Sequence, residues 1–135
     1  MEKFIEMLQS ESVLEKQKPL RSVDVIEAQK RLVKEGYPLL PAQFIDFLKV
    51  CNGLRGESCA VFGIDPDDKL LDIVDFNKEH NASKSKVILG YDDFCFLVYD
   101  SSKERYVLLD REDGDDLDDF LKDSLDYALS AILHF

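Results

Sequence analysis

Metal binding, thiol chemistry or acid–base catalysis in this chain would have to come from two histidines, three cysteines and a surplus of carboxylates. A zinc site needs His or Cys ligands at recognisable short spacings. His80 lies in a polar stretch and His134 near the C-terminus, and neither has a His or Cys three to five residues away. Cys51, Cys59 and Cys95 are odd in number and form no CxxC pair, which reads as small buried hydrophobes rather than a redox or metal motif. The acidic run 110–116 resembles a loop of oxygen ligands for calcium. An EF-hand loop places glycine sixth; with Gly114 there, Leu109 and Arg111 fall where carboxylates belong and Phe120 replaces the closing Glu. No G-x-S-x-G elbow, phosphate-binding loop or dinucleotide fingerprint is present. Gly53-Leu-Arg-Gly56 formally matches the GXXG loop of RNA-binding KH domains, but in a strongly acidic setting. Neither a catalytic centre nor a cofactor or metal site is expected.

Charge is the more informative signal. The net charge is −11, and thirteen acids against four bases between Tyr91 and Tyr127 account for −9 of it. Phosphate backbones are bound by Lys and Arg, so direct nucleic-acid binding is not expected. An acidic surface favours steered association with a basic protein, and it also keeps a small domain soluble. The acids that would form a contact surface are Asp92 and Asp93, next to Tyr91, and the group Asp110, Glu112, Asp113, Asp115, Asp116, Asp118 and Asp119.

The elements that must position these residues follow from apolar spacing. At 135 residues with 45% hydrophobic content, residues 1–135 make one globular domain. No apolar run is long enough to span a membrane, and the start of the chain lacks a signal-peptide layout, so a cytoplasmic address is expected. Met1, Phe4, Ile5 and Leu8 have helical spacing over residues 1–9. A second helix starts near Ser22 and buries Val25, Ala28 and Leu32, with Ile26 and Val33 widening the stripe; Gly36 and Pro38 stop it. The third starts at Pro41, buries Phe44, Phe47, Leu48 and Cys51, and ends at Asn52-Gly53, both residues tolerant of the left-handed conformation. Residues 59–64 read as a short strand, 65–68 as a turn, 70–77 as a short helix and 78–85 as a loop. Residues 87–91, 94–99 and 106–109 then read as antiparallel strands joined by hairpins, the middle one covered on both faces. A long helix over about 115–133 closes the chain, with Leu117, Phe120, Leu121, Leu125, Ala128 and Ile132 inward and Asp115 and Asp116 at its positive end. The class is α+β, a mainly antiparallel sheet with helices packed against it.

The segment Tyr37-Pro-Leu-Leu-Pro41-Ala-Gln-Phe44-Ile-Asp-Phe47-Leu48-Lys-Val-Cys-Asn52-Gly53 resembles the L-P-x-x-[FY]-x-x-[FL]-L-x-x-x-N-G signature of the SUKH superfamily, also called the Smi/Knr family. Further parts agree in order: an apolar-Gly-Ile segment around Gly63, an Asp-Ile-Val-x-x-Asn unit ending at Asn77, an Ile-x-Gly strand ending at Gly90, then two strands and a terminal helix. The resemblance covers roughly residues 20–133. It implies an α+β fold of the Smi/Knr type and no catalysis. Bacterial members are thought to be immunity proteins that neutralise toxins, frequently nucleases; fungal members resemble regulators of cell-wall glucan synthesis that act through protein partners. For this chain it implies a non-enzymatic immunity protein that binds a basic toxin domain. The alternatives are a scaffold-type regulator of an endogenous protein, and an acid-rich metal binder or enzyme. Whether the domain is a monomer or a weak dimer is left open.

Overall fold

The computed structural model describes residues 15–16, 22–56, 58–64, 72–81, 84–112, 116–118 and 125–133. The expected helix over 1–9 and turn over 65–68 lie outside these residues. Among the described residues, seven strands, β1 (Glu15–Lys16), β2 (Leu54–Arg55), β3 (Ala60–Val61), β4 (Lys86–Tyr91), β5 (Cys95–Asp100), β6 (Arg105–Asp110) and β7 (Asp116–Asp118), pair in chain order as one antiparallel meander. The helices among the described residues are α1 (Ser22–Lys34), α2 (Ala42–Val50), α3 (Ile73–His80) and α4 (Leu125–Leu133). The architecture is the expected α+β.

Cross-strand partners share a face, so register sorts the side chains. Val61, Leu97 and Leu108 lie on one face, where Tyr106 donates to Gln43 of α2 at 3.2 Å. Gly90 is on that face too: a Cβ there would strike the Ala60 carbonyl and Ile132 of α4, so only glycine lets helix and strand close. The sheet bulges between Ile88 and Gly90. Ile88, Val98, Phe96 and Tyr91 lie on the opposite face, where Phe76 of α3 stacks on Tyr91 and meets Phe96 edge-on.

α2 is as the sequence predicts. Pro41 caps it, and Phe44, Phe47 and Leu48 are fully buried. At its end only Gly53 is left-handed, with φ 101°. Asn52 has another role: its side-chain amide donates to the Ile64 carbonyl (2.9 Å) and accepts from the Ile64 N–H (2.8 Å), mimicking a strand partner. Gly63 lies so close against Asn52 that any side chain there would collide with it.

α3 starts and ends three residues later than expected, because Asp72 caps it by accepting from the Asp75 N–H at 3.1 Å. The Asp72 carboxylate is fully buried and paired with Arg31 of α1 at 2.9 Å. In α1, Val25, Ala28 and Leu32 are buried, but Ile26 and Val33 are 55% and 56% exposed and do not widen the inward stripe. On a helical wheel they fall well away from the buried direction.

The largest correction concerns the chain's last third. Residues 116–118 are not helical; they form β7 against β6, and among the described residues the terminal helix is Leu125–Leu133. Asp115, Asp116, Asp118 and Asp119 in one helical turn would stack like charges three and four residues apart. An extended strand avoids that spacing while pairing the outer edge of β6. Within α4, Leu125, Ala128 and Ile132 are buried as expected. No helix among the described residues is long and apolar enough to cross a membrane.

Candidate protein-binding surface

Two of the acidic segments meet because of sheet register. Cys95 pairs with Asp110 at the ends of β5 and β6, which sets the β4–β5 turn, residues 92–94, beside residues 110–112. Asp92 organises the first turn. Its Oδ1 accepts from the N–H groups of Phe94 (2.8 Å) and Cys95 (2.9 Å) and contacts the Cys95 Sγ at 3.2 Å. With 4% of its surface exposed, Asp92 is a turn-forming residue and not part of the outer contact surface expected of it. The three donors it meets, from Phe94 and Cys95, hold its side chain inward.

Arg111 locks the two turns together. Its backbone N–H donates to the Phe94 carbonyl at 3.1 Å and its Nη1 to the Asp92 carbonyl at 2.7 Å. The guanidinium covers the rings of Tyr91 and Phe96 at 5.1 and 5.3 Å. Tyr91 is therefore half-buried, part of an aromatic cluster with Phe62 and Phe76. Asp110 accepts from the Glu112 N–H at 2.7 Å, closing a second Asx turn.

What faces outward is Asp93, Phe94, Arg111 and Glu112. Phe94, expected inside a covered strand, is instead at the turn and 75% exposed, the most exposed large apolar side chain among the described residues. Asp116 and Asp118 stand in register with Leu109 and Leu108 on the adjoining strand. Asp113, Asp115 and Asp119 lie outside the described residues. Phe94 was identifiable from sequence only as an aromatic beside Asp-Asp; the register that exposes it was not.

The thiols near this surface are not poised for chemistry. Burial, reinforced by the hydrogen bond and charge of Asp92, pushes the Cys95 pKa up to about 12. Burial also raises that of Cys59, with Asp92 and Asp93 adding to it. A thiol needs its anion to act as nucleophile. Among the described residues no group of three or more His, Cys, Asp or Glu is arranged to hold a metal ion. Beside the turns a groove of about 310 Å³ runs over Ile88, Phe96, Val98 and Leu109 towards His80. That is at the lower bound of cavities that enclose small ligands, roughly 300–1,000 Å³.

No protein-family model and no curated protein matches this chain. The remaining signature positions are structural. Asn77 is fully buried and bridges α3 to β4: its Nδ2 donates to the carbonyls of Ile73 (2.8 Å) and Ile88 (3.0 Å), and its Oδ1 accepts from the Ile88 N–H at 2.8 Å. Within β4, β3 pairs with Gly90 and Tyr91 alone, so among the described residues the first half of β4 has no strand paired on that side. Asn77 and Asn81, which donates to the Lys86 carbonyl at 2.7 Å, take that strand's place. Pro41, Phe44, Phe47, Leu48, Asn52, Gly53, Gly63 and Gly90 likewise serve the scaffold.

Proposed function

We propose that this domain is a non-enzymatic protein-binding module that neutralises a basic partner, in the manner of the SUKH immunity proteins its signature resembles. The observation that carries the reading is the exposed Phe94 set among Asp93 and Glu112 on a turn pair locked by Asp92 and Arg111. An aromatic anchor surrounded by charge, on a backbone ordered before binding, is the arrangement that gives protein interfaces their affinity. The acids supply attraction at a distance to a surface of Lys and Arg, such as the phosphate-binding cleft of a nuclease toxin. Cytoplasmic action is part of the same proposal.

The test is calorimetric titration of the domain with a purified basic toxin nuclease domain encoded beside its gene, at low and high salt. Tight binding that weakens with salt, falls at least ten-fold in Phe94→Ala and falls again in Asp93→Lys/Glu112→Lys supports the proposal. Binding indifferent to both salt and Phe94, or no binding to such a domain, removes it.

A further inference from the structure

The outer face of α1 carries an apolar stripe with no partner among the described residues. Among the described residues six large hydrophobic side chains are conspicuously exposed; three of them, Ile26, Val33 and Leu39, border one groove here, and Val23 lies three residues before Ile26 along α1. That groove is open, about 690 Å³ in volume, and its polar edge is Gln29, Lys30 and Lys34. Contiguous apolar patches of this kind mark interaction sites, whereas singly scattered residues do not.

We infer that this face is an isologous dimer contact, its occupant α1 of a second copy of the chain running antiparallel. Val23, Ile26, Lys30 and Val33 follow the three-then-four spacing of a helix–helix seam. A two-fold axis at the level of Ala28 sets Val23 against the partner's Val33, and Ile26 against the aliphatic stem of the partner's Lys30. The same symmetry brings Glu27 beside the partner's Lys30, and by the two-fold this happens twice. Within one chain Glu27 and Lys30 are a loose, exposed pair at 3.8 Å, so both charges remain available for that exchange. Arg31, by contrast, is turned towards α3 and held by Asp72 and Asp75. Opposed helix dipoles add to the match. One short helix per copy buries an area at the small end for protein interfaces, so the dimer is weak and concentration-dependent. The contact uses none of the residues of the acidic turns and stands apart from the proposed function.

Sedimentation equilibrium across micromolar to millimolar protein tests the inference. The wild-type mass should climb from one chain towards two, and Ile26→Glu should hold it at one chain throughout. Because Ile26 is mostly exposed, that variant should keep the wild-type circular dichroism spectrum and melting temperature. Glu27→Lys and Lys30→Glu, each placing like charges together twice, should separately weaken association about ten-fold or more. An equimolar mixture of those two variants restores both opposite-charge pairs and should dimerise again. A wild-type mass of one chain at every concentration overturns the inference, as does dimerisation that ignores Ile26→Glu or a mixture that fails to recover.

Discussion

Replacing Asn77 with alanine tests whether a side chain really stands in for a missing strand. The substitution removes the contacts that Asn77 makes to the Ile88 N–H and carbonyl from the α3 side, at a residue just 4% exposed. Each buried, unsatisfied backbone group costs about 1–3 kcal/mol, so the pair costs about 2–6 kcal/mol. Loss of the Ile73 and Asn81 contacts adds to this. A domain of this kind is stable by about 5–15 kcal/mol in total, so the variant should remain folded only narrowly or not at all. Urea unfolding followed by circular dichroism reads the effect. With a slope of about 2 kcal/mol per molar urea, the midpoint should fall by about 1–3 M. Asn81→Ala is the internal control: Asn81 is half-buried, its Lys86 acceptor can be rehydrated, and its cost should stay below about 1 kcal/mol. Asn77→Asp keeps the shape but offers no donor to the Ile88 carbonyl, and should be as damaging as alanine at neutral pH. A loss under about 0.5 kcal/mol for Asn77→Ala would refute the bridging role.

Two further outcomes follow from the same geometry. Because Cys51, Cys59 and Cys95 are all buried and the Cys95 pKa is raised to about 12, alkylation by iodoacetamide at neutral pH should be slow in the native protein and should accelerate in urea along the unfolding curve; fast native alkylation of Cys95 would contradict its placement. For Asp100, burial raises the pKa, but the Ser102 hydroxyl and N–H, the Lys86 charge and the Lys103 N–H outweigh it, and the net shift is downward. A carboxyl depressed in the folded state stabilises fully above its unfolded pKa of about 3.9 and progressively less as pH falls through the folded value. The stability gap between wild type and Asp100→Asn should therefore be greatest near neutrality and close below about pH 4, and a gap constant with pH would count against the assignment.

How much was legible in the sequence varies by element, for a physical reason. Local rules sufficed where one residue's preference decides the outcome. Pro41 opens α2, Phe44, Phe47 and Leu48 bury one of its faces, and Gly53 takes the left-handed turn. The three long strands were equally plain, since β-branched and aromatic runs between Asp-rich turns have little alternative. Local rules failed where two elements compete for the same residues. The acidic segment before α4 carries a helical apolar spacing, yet residues 116–118 pair with β6, because an open strand edge and the repulsion among neighbouring aspartates both favour extension.

For the candidate surface, composition placed the charge in the right third of the chain and no more. Asp92 and Asp93 are identical in sequence terms, but donors from Phe94 and Cys95 draw the first inward and leave the second in solvent. Likewise, Ile26 and Val33 look like core residues by hydropathy alone; only the docking of Val25, Ala28 and Leu32 turns them outward. The sequence by itself determined the α+β class, the α2 helix and its caps, and the acidic bias. Tertiary structure alone decided which carboxylates are structural, that Phe94 is exposed between them, and that Asn77 completes the sheet. Those outcomes depend on backbone donors and acceptors supplied by segments distant in the chain, and no local preference encodes which of them will be left without a partner.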